Sequence, residues 1–170
     1  MNKLIIEDNF LSHEELVHLR DNVFHEFPWR FVKDNDKESS FSLGYSKNLH
    51  QHPINSSERF ILDKIYNFCN TSKEIDRPFR VRTLYYNALR PLDRLHYHVD
   101  GDGPTFLVYT NVNWKWWWGS GTKIKGKGYV KAKPGRMVVF PGECYHKGIP
   151  PNILARSCPR YSIAFQTTHI

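Results

Sequence analysis

The sequence predicts a mainly β domain, a sandwich or jelly-roll barrel with two helices packed on its outside. From Arg80 onward, short apolar or alternating runs are cut by Gly and Pro at close intervals, the mark of many short antiparallel strands. Before Arg80, two stretches carry apolar residues at helical spacing instead. No regular alternation of strand and helix argues for a parallel sheet.

The helices come first. Ser12 and Glu15 form a capping box, Leu11 and Leu16 can staple its two sides, and Leu16, Leu19, Val23 and Phe27 give an apolar face. A second helix is expected to start near Asn55 to Ser57 and to bury Phe60, Ile61, Ile65 and Phe68. The polar stretch between them, from Lys33 to Pro53, has no sustained period and is expected to be a long loop, a candidate substrate lid. Seven strands are expected: "RVRTLYYNAL", "LHYHVD", "TFLVYTNV", "GTKI", "GYVKAK", "RMVVF" and "RYSIAFQTT". Pro91, Gly101 to Pro104, Gly119 to Gly121, Gly126 to Gly128, Pro134-Gly135, Pro141-Gly142 and Pro150-Pro151 are the expected breaks.

With 170 residues, the chain suits one domain, 1-170, with helical support and a variable loop over 1-80 and a barrel core over 81-170. No apolar run approaches the roughly 18 residues that would span a membrane, and the first ten residues do not read as a secretory signal. Three scattered cysteines give no disulfide framework, so a cytoplasmic location is expected. The net charge of +7 admits a nucleic-acid partner, although "KIKGKGYVKAKPGR" reads more simply as the outer face of a hairpin.

The chemistry gathers in "LHYHVDGDG". On a strand, alternate side chains share a face, so His96, His98 and Asp100 point one way. An imidazole and a carboxylate side by side suit two adjacent corners of a metal. His146, after the tight turn in "VVFPGECYHKG", is the candidate third ligand. Two histidines and one carboxylate leave coordination positions open, as in non-haem Fe(II) oxygenases, whereas structural zinc sites fill four positions. His96 would lie about 7 Å from His98 by strand rise and is read as a neighbour. Asp102 lies past Gly101, where alternation no longer constrains it, and Cys144 reads as a small packing residue. The run from Trp114 to Trp118 is either a stacking surface or a packed face of Trp114, Trp116 and Trp118 with Trp117 partly exposed.

Taken in order, "HVDGDG", "FLVYTNVNW", "WGSGT", "GRMVVFPGECYHKG" and "RYSIAFQ" resemble the 2-oxoglutarate- and Fe(II)-dependent dioxygenases, particularly the prolyl 4-hydroxylase-like branch, over residues 84–168. The resemblance implies a double-stranded β-helix (jelly roll) with two or more supporting N-terminal helices. It implies that His98, Asp100 and His146 hold the metal, and that a basic residue on the strand after the distal histidine holds the far carboxylate of 2-oxoglutarate. Arg160, in "RYSIAF", fits that pattern better than Arg156, which lies in the loop-like "NILARSCP". Tyr109 aligns with a tyrosine that hydrogen-bonds the same carboxylate. Tyr86 is the second tyrosine expected there, with Tyr85 on the opposite face kept open. The family's Gly-Gly-x-Thr stands here as Gly119-Ser120-Gly121-Thr122, a change confined to a turn of small residues.

The activity so implied is hydroxylation of an unactivated C–H bond, most simply of a peptidyl residue such as proline, with Fe(II), 2-oxoglutarate and O2, and ascorbate admitted as a reductant. A protein or peptide substrate is favoured, and no membrane partner is expected. Two alternatives stand: oxidative demethylation of nucleic acid, which the basic charge suits, and a catalytically silent metal- or sugar-binding jelly roll.

Overall fold

The computed structural model describes residues 3–21, 30–33, 41–49, 53–72, 74–75, 78–156 and 158–170. Ten strands and two helices are present among them. In chain order they are β1 (Ile5–Glu7), α1 (His13–Leu19), β2 (Arg30–Lys33), β3 (Phe41–Asn48), α2 (Ser56–Ser72), β4 (Phe79–Leu89) and β5 (Pro104–Tyr109). They continue with β6 (Gly119–Ile124), β7 (Gly128–Lys131), β8 (Met137–Pro141), β9 (His146–Pro151) and β10 (Arg160–His169).

The strands form two antiparallel sheets, a large one in the order β1-β8-β5-β10-β4-β3-β2 and a small one in the order β7-β6-β9. One face of the large sheet carries the helices. There Leu84, Phe106, Val108, Val139, Ile163 and Phe165 close on Leu16, Leu19, Ile61 and Ile65. The other face meets the small sheet, where Leu107, Tyr109, Val138, Phe140 and Ala164 pack with Ile124 and Val130. Period-two alternation produces this division: β5, β8 and β10 send successive side chains to opposite cores.

α1 begins as its capping box dictates: Glu15 N–H donates to Ser12 Oγ, and Ser12 N–H donates to the Glu15 carboxylate. Val23 and Phe27 lie outside the described residues. α2 starts on a second reciprocal cap, with Glu58 N–H donating to Asn55 Oδ1 and Asn55 N–H to Glu58 Oε2. It buries Ile61, Leu62 and Ile65, and Phe68 packs at the edge of the core. Phe60, expected inside, is exposed, because the buried arc of α2 is centred one residue further on.

The first eighty residues do more than support a barrel. β1 pairs with β8, and the hairpin β2–β3 extends the large sheet beyond β4. The stretch expected as a loop from Lys33 to Pro53 therefore contains an eight-residue strand; residues 34–40 and 50–52, the rest of the suggested lid, lie outside the described residues. A second correction concerns "LHYHVD". It is not a strand; His98 makes a single isolated bridge to His146. Pro150 and Pro151, expected as a break, end β9, where proline is tolerated because β9 is an edge strand. Among the described residues no helix is long and apolar enough to cross a membrane.

Candidate metal and cosubstrate site

His98, Asp100 and His146 converge at one end of the space between the two sheets. One ligand atom from each lies within 4.8 Å of the others. Backbone contacts hold the group. His98 N–H donates to the His146 carbonyl and His146 N–H to that of His98, both at 3.0 Å. The Asp100 N–H donates to the Gly142 carbonyl at 2.8 Å, and Arg82 Nη2 donates to the Asp100 carbonyl at 2.9 Å. The turn at Pro141-Gly142 comes so close that a Cβ on Gly142 would stand 2.6 Å from the Gly103 carbonyl oxygen. Glycine there lets the turn that precedes His146 lie against the loop that follows Asp100.

Both imidazoles are oriented by carbonyl oxygens. His146 Nδ1 lies 2.9 Å from the Cys144 carbonyl, and His98 Nδ1 lies 3.2 Å from the His96 carbonyl. A carbonyl only accepts, so each Nδ1 carries the proton and each Nε2 presents its lone pair. The Nε2 atoms lie 3.7 Å (His98) and 3.4 Å (His146) from the two oxygens of Asp100. Burial and then the neighbouring His98 push the His146 pKa below the ordinary imidazole value, against the opposing pull of Asp100. Both effects favour the neutral imidazole, the form that can ligate a metal. Phe140 packs edge-on against the His146 ring at 4.6 Å. His98 is half exposed and opens the group to solvent.

The Asp100 carboxylate is fixed at both oxygens. Gln166 Nε2 donates to Oδ1 at 2.7 Å, and Thr105 Oγ1 donates to Oδ2 at 2.8 Å. Two imidazole nitrogens and one carboxylate oxygen, with one side left open, suit a divalent first-row metal that must also bind substrate.

Arg160 lies deeper between the sheets. It is 2% exposed, with Nε and Nη1 lacking any hydrogen-bond partner. Its guanidinium stands 5.3 Å over the Tyr109 ring, and Tyr109 Oη shares a 2.8 Å hydrogen bond with Thr122 Oγ1. Burial raises the Tyr109 pKa, the nearby guanidinium opposing it, so the hydroxyl stays protonated at neutral pH. Ser162, fully buried on the same face of β10 as Arg160, also has an unpartnered Oγ. A buried guanidinium without an anion is costly, and the unpaired donors fit a carboxylate. The distance is informative as well. A Cβ on Gly148 would stand 3.1 Å from Arg160 Nη2, and Gly148 lies two residues along β9 from His146. That places the guanidinium roughly 7 Å along the strand from the imidazole, about the reach of a five-carbon diacid. The residues therefore fit both a metal and 2-oxoglutarate.

The other expected residues fall elsewhere. Tyr86 points to the opposite core, where its hydroxyl donates to Glu58 Oε1 at 2.6 Å, and Lys47 Nζ binds Glu58 Oε2 at the same distance. It cannot reach the cosubstrate space, because Tyr86 packs in the helix-side core while its neighbour Tyr85 packs on the side of the small sheet. Arg156 is exposed, just after a 3-10 turn, at φ 47°. His96 is excluded from the ligand group and has a buried, unpartnered Nε2. Asp102 is exposed, its pKa lowered first by a hydrogen bond from Thr168, and Cys144 packs beside the site-side core. The tryptophans form a 3-10 turn over Trp116–Trp118, so their faces do not alternate as on a strand. Trp114 and Trp118 pack edge to face at 5.2 Å, while Trp116, expected in that packed face, is 83% exposed. Thr105, Ser162 and Gln166 join the site beyond the residues the sequence points to, and Thr122, read there only as part of a turn, hydrogen-bonds Tyr109. Ser162 and Gln166 were within reach, since both share the period-two face of Arg160.

No known family's sequence profile matches the chain. No characterised protein matches it by sequence either. Solved structures do. The viral collagen prolyl hydroxylase of Paramecium bursaria Chlorella virus-1, solved with 2-oxoglutarate, superposes with a TM-score of 0.64 at 17% identity, over 95% of this chain and 93% of that one. A prolyl hydroxylase of Trichoplax adhaerens, in complex with a hypoxia-inducible factor oxygen degradation domain peptide, gives 0.64 at 15% identity, over 100% and 84%. A prolyl 4-hydroxylase of Pseudomonas putida gives 0.62 at 15%, over 96% and 91%. The fold is thus the jelly roll shared with these oxygenases, with two helices on one side.

Proposed function

We propose that the protein is an Fe(II)- and 2-oxoglutarate-dependent dioxygenase that hydroxylates an unactivated C–H bond, in a peptidyl residue such as proline. The observation that carries this reading is the buried Arg160 guanidinium, its Nε and Nη1 without partners, set behind the open His98–Asp100–His146 group. A metal site alone would need no such cation. A silent sugar-binding barrel would gain nothing from it.

His98, Asp100 and His146 would hold the metal. Bound Fe(II) would supply the chemistry that couples oxidation of 2-oxoglutarate to succinate and CO2 with insertion of an oxygen atom into the C–H bond. The chain's own contribution is positional. The carbonyls of His96 and Cys144 fix the imidazole tautomers, while Gln166 and Thr105 fix the carboxylate. Arg160 would grip the far carboxylate of the cosubstrate through Nε and Nη1, with Tyr109 Oη and Ser162 Oγ as further donors. Phe140, Leu107 and Ala164 keep the inner part of the site dry. The His98 side remains open to solvent, which suits a substrate residue presented on a chain. Support for a peptide comes from the fold neighbours, several of which are prolyl hydroxylases, one of them bound to a peptide.

Anaerobic titration with Fe(II) and 2-oxoglutarate tests the site directly. A weak visible charge-transfer band is expected to develop and to be lost in His98→Ala and Asp100→Ala. An unchanged band in either variant overturns the assignment. Peptide hydroxylation is read separately, by mass spectrometry of proline-containing peptides incubated with the aerobic enzyme.

A further inference from the structure

Charge is distributed very unevenly along the chain. From Gly103 to the C-terminus there is one acid, Glu143, against ten lysines and arginines; the first 102 residues hold the other sixteen acids and fourteen basic residues. The fold brings much of this charge onto the outer face of the small sheet. Thr122 and Ile124 of β6 are buried and Lys123 between them is exposed, so Lys123 faces outward. Register then sets Lys123 directly between Tyr129 of β7 and Lys147 of β9.

Two lysines directly opposite on paired strands repel each other, and no ion pair joins either to an acid among the described residues. A second pair of cations crowds nearby: Lys125 and Lys147 stand 4.7 Å and 5.0 Å over the Tyr97 ring, and Lys125 also lies 5.2 Å over Tyr145. Self-repelling charge of this kind is stabilised by an external polyanion.

Aromatic rings are interleaved with the lysines. Tyr129 and Tyr145 are about half exposed. Tyr129 lies across the strand beside it because Gly121 has no side chain; a Cβ there would meet its ring at 2.8 Å. The ring is therefore laid along the sheet as a platform. At the start of β6, Trp116 and Trp117 add two more exposed rings. An acidic peptide would use the lysines and leave the rings idle. Unpaired bases with their phosphates would use both.

We propose that the outer face of β7-β6-β9 is a binding surface for single-stranded nucleic acid, with Lys123, Lys125 and Lys147 on the phosphates and Tyr129 stacked on a base. It lies on the reverse of the strands that carry Thr122 and His146, and so does not depend on the oxygenase reading. The lysines are point charges without a bidentate partner, so recognition is independent of sequence.

Fluorescence anisotropy of a labelled twelve-nucleotide oligo-dT, measured with the intact protein over a range of salt, tests this. Binding should weaken steeply with salt, with a log–log slope of roughly −2 for three phosphate contacts on a single strand. The double variant Lys123→Glu, Lys147→Glu should abolish binding while leaving the melting temperature and Mn(II)/2-oxoglutarate affinity unchanged. Tyr129→Ala should weaken binding about tenfold at an unchanged salt slope, the worth of one stacked base. The proposal is overturned if the oligonucleotide does not bind, or if the charge-reversed protein binds as before. It is also overturned if Tyr129→Ala has no effect while poly-glutamate or anionic vesicles displace the oligonucleotide at equal charge. Equal affinity for duplex would likewise exclude a stacking surface.

Discussion

Gln166 Nε2, on β10, donates a 2.7 Å hydrogen bond to Oδ1 of Asp100, on the segment between β4 and β5. With Thr105 on the other oxygen, it leaves the carboxylate little freedom to rotate. Gln166→Leu and Thr105→Val should each lower metal affinity by roughly 10- to 100-fold, the usual cost of losing a group that orients a ligand. Titration with Mn(II) or Co(II) reads this without turnover. Unaltered affinity in both variants would mean that these bonds do not position Asp100.

Gly148 and Arg160 make a second test. Arg160→Ala should weaken 2-oxoglutarate on the order of a hundredfold or more, because a buried charged hydrogen bond is removed. Arg156→Ala, at an exposed position outside the site, should change it little. Gly148→Val should also weaken 2-oxoglutarate, since its side chain would enter the space held by Arg160 Nη2 and Leu89 Cδ1. Isothermal titration with the metal in place compares all three, and the reverse order for the two arginines would falsify the assignment to Arg160.

Tyr86→Phe should leave 2-oxoglutarate affinity unchanged and cost stability. It removes a donor from a buried carboxylate whose other oxygen is held by Lys47; such a loss is worth about 1–3 kcal/mol. Urea denaturation measures the stability, and cosubstrate titration separates it from binding. A selective loss of 2-oxoglutarate binding would place the hydroxyl in the site after all.

Asp8 gives a pH dependence. Hydrogen bonds from Arg136 first, and from Lys133, hold its carboxyl at about 2, well below the usual value. A carboxyl with a lowered folded pKa stabilises the fold above its unfolded pKa, roughly 3.9, and that stability is lost as pH falls towards 2. Asp8→Asn should therefore unfold at lower urea than the parent at pH 7 and at the same urea near pH 2. Solvent exposure of the pair keeps the difference small.

The barrel strands are legible as short apolar or alternating runs bounded by Gly and Pro: "RMVVF" lies on a strand buried on both faces, and "RYSIAFQTT" on one buried over most of its length. His98 and Asp100 were placed on one face by the same alternation and do converge, although "LHYHVD" makes only one bridge; two residues of extended backbone suffice for that geometry. β3 was misread through its polar composition. Yet Phe41, Leu43 and Tyr45 alternate with Ser42, Gly44 and Ser46, a period-two signal that the surrounding charged residues obscured. Tyr86 shows a different limit. Alternation separates Tyr85 from Tyr86, but which face of β4 meets which core is decided by sheet pairing, and sequence periodicity carries no such information.

The reciprocal backbone bonds between His98 and His146 join parts of the chain that meet only when the barrel shuts. A cation shared by those two side chains would therefore act as a clasp on a long loop, present in the closed chain and absent from the open one. Its binding energy would appear as resistance to unfolding, growing with the logarithm of free metal. Unfolding midpoint against metal concentration would then report barrel closure itself.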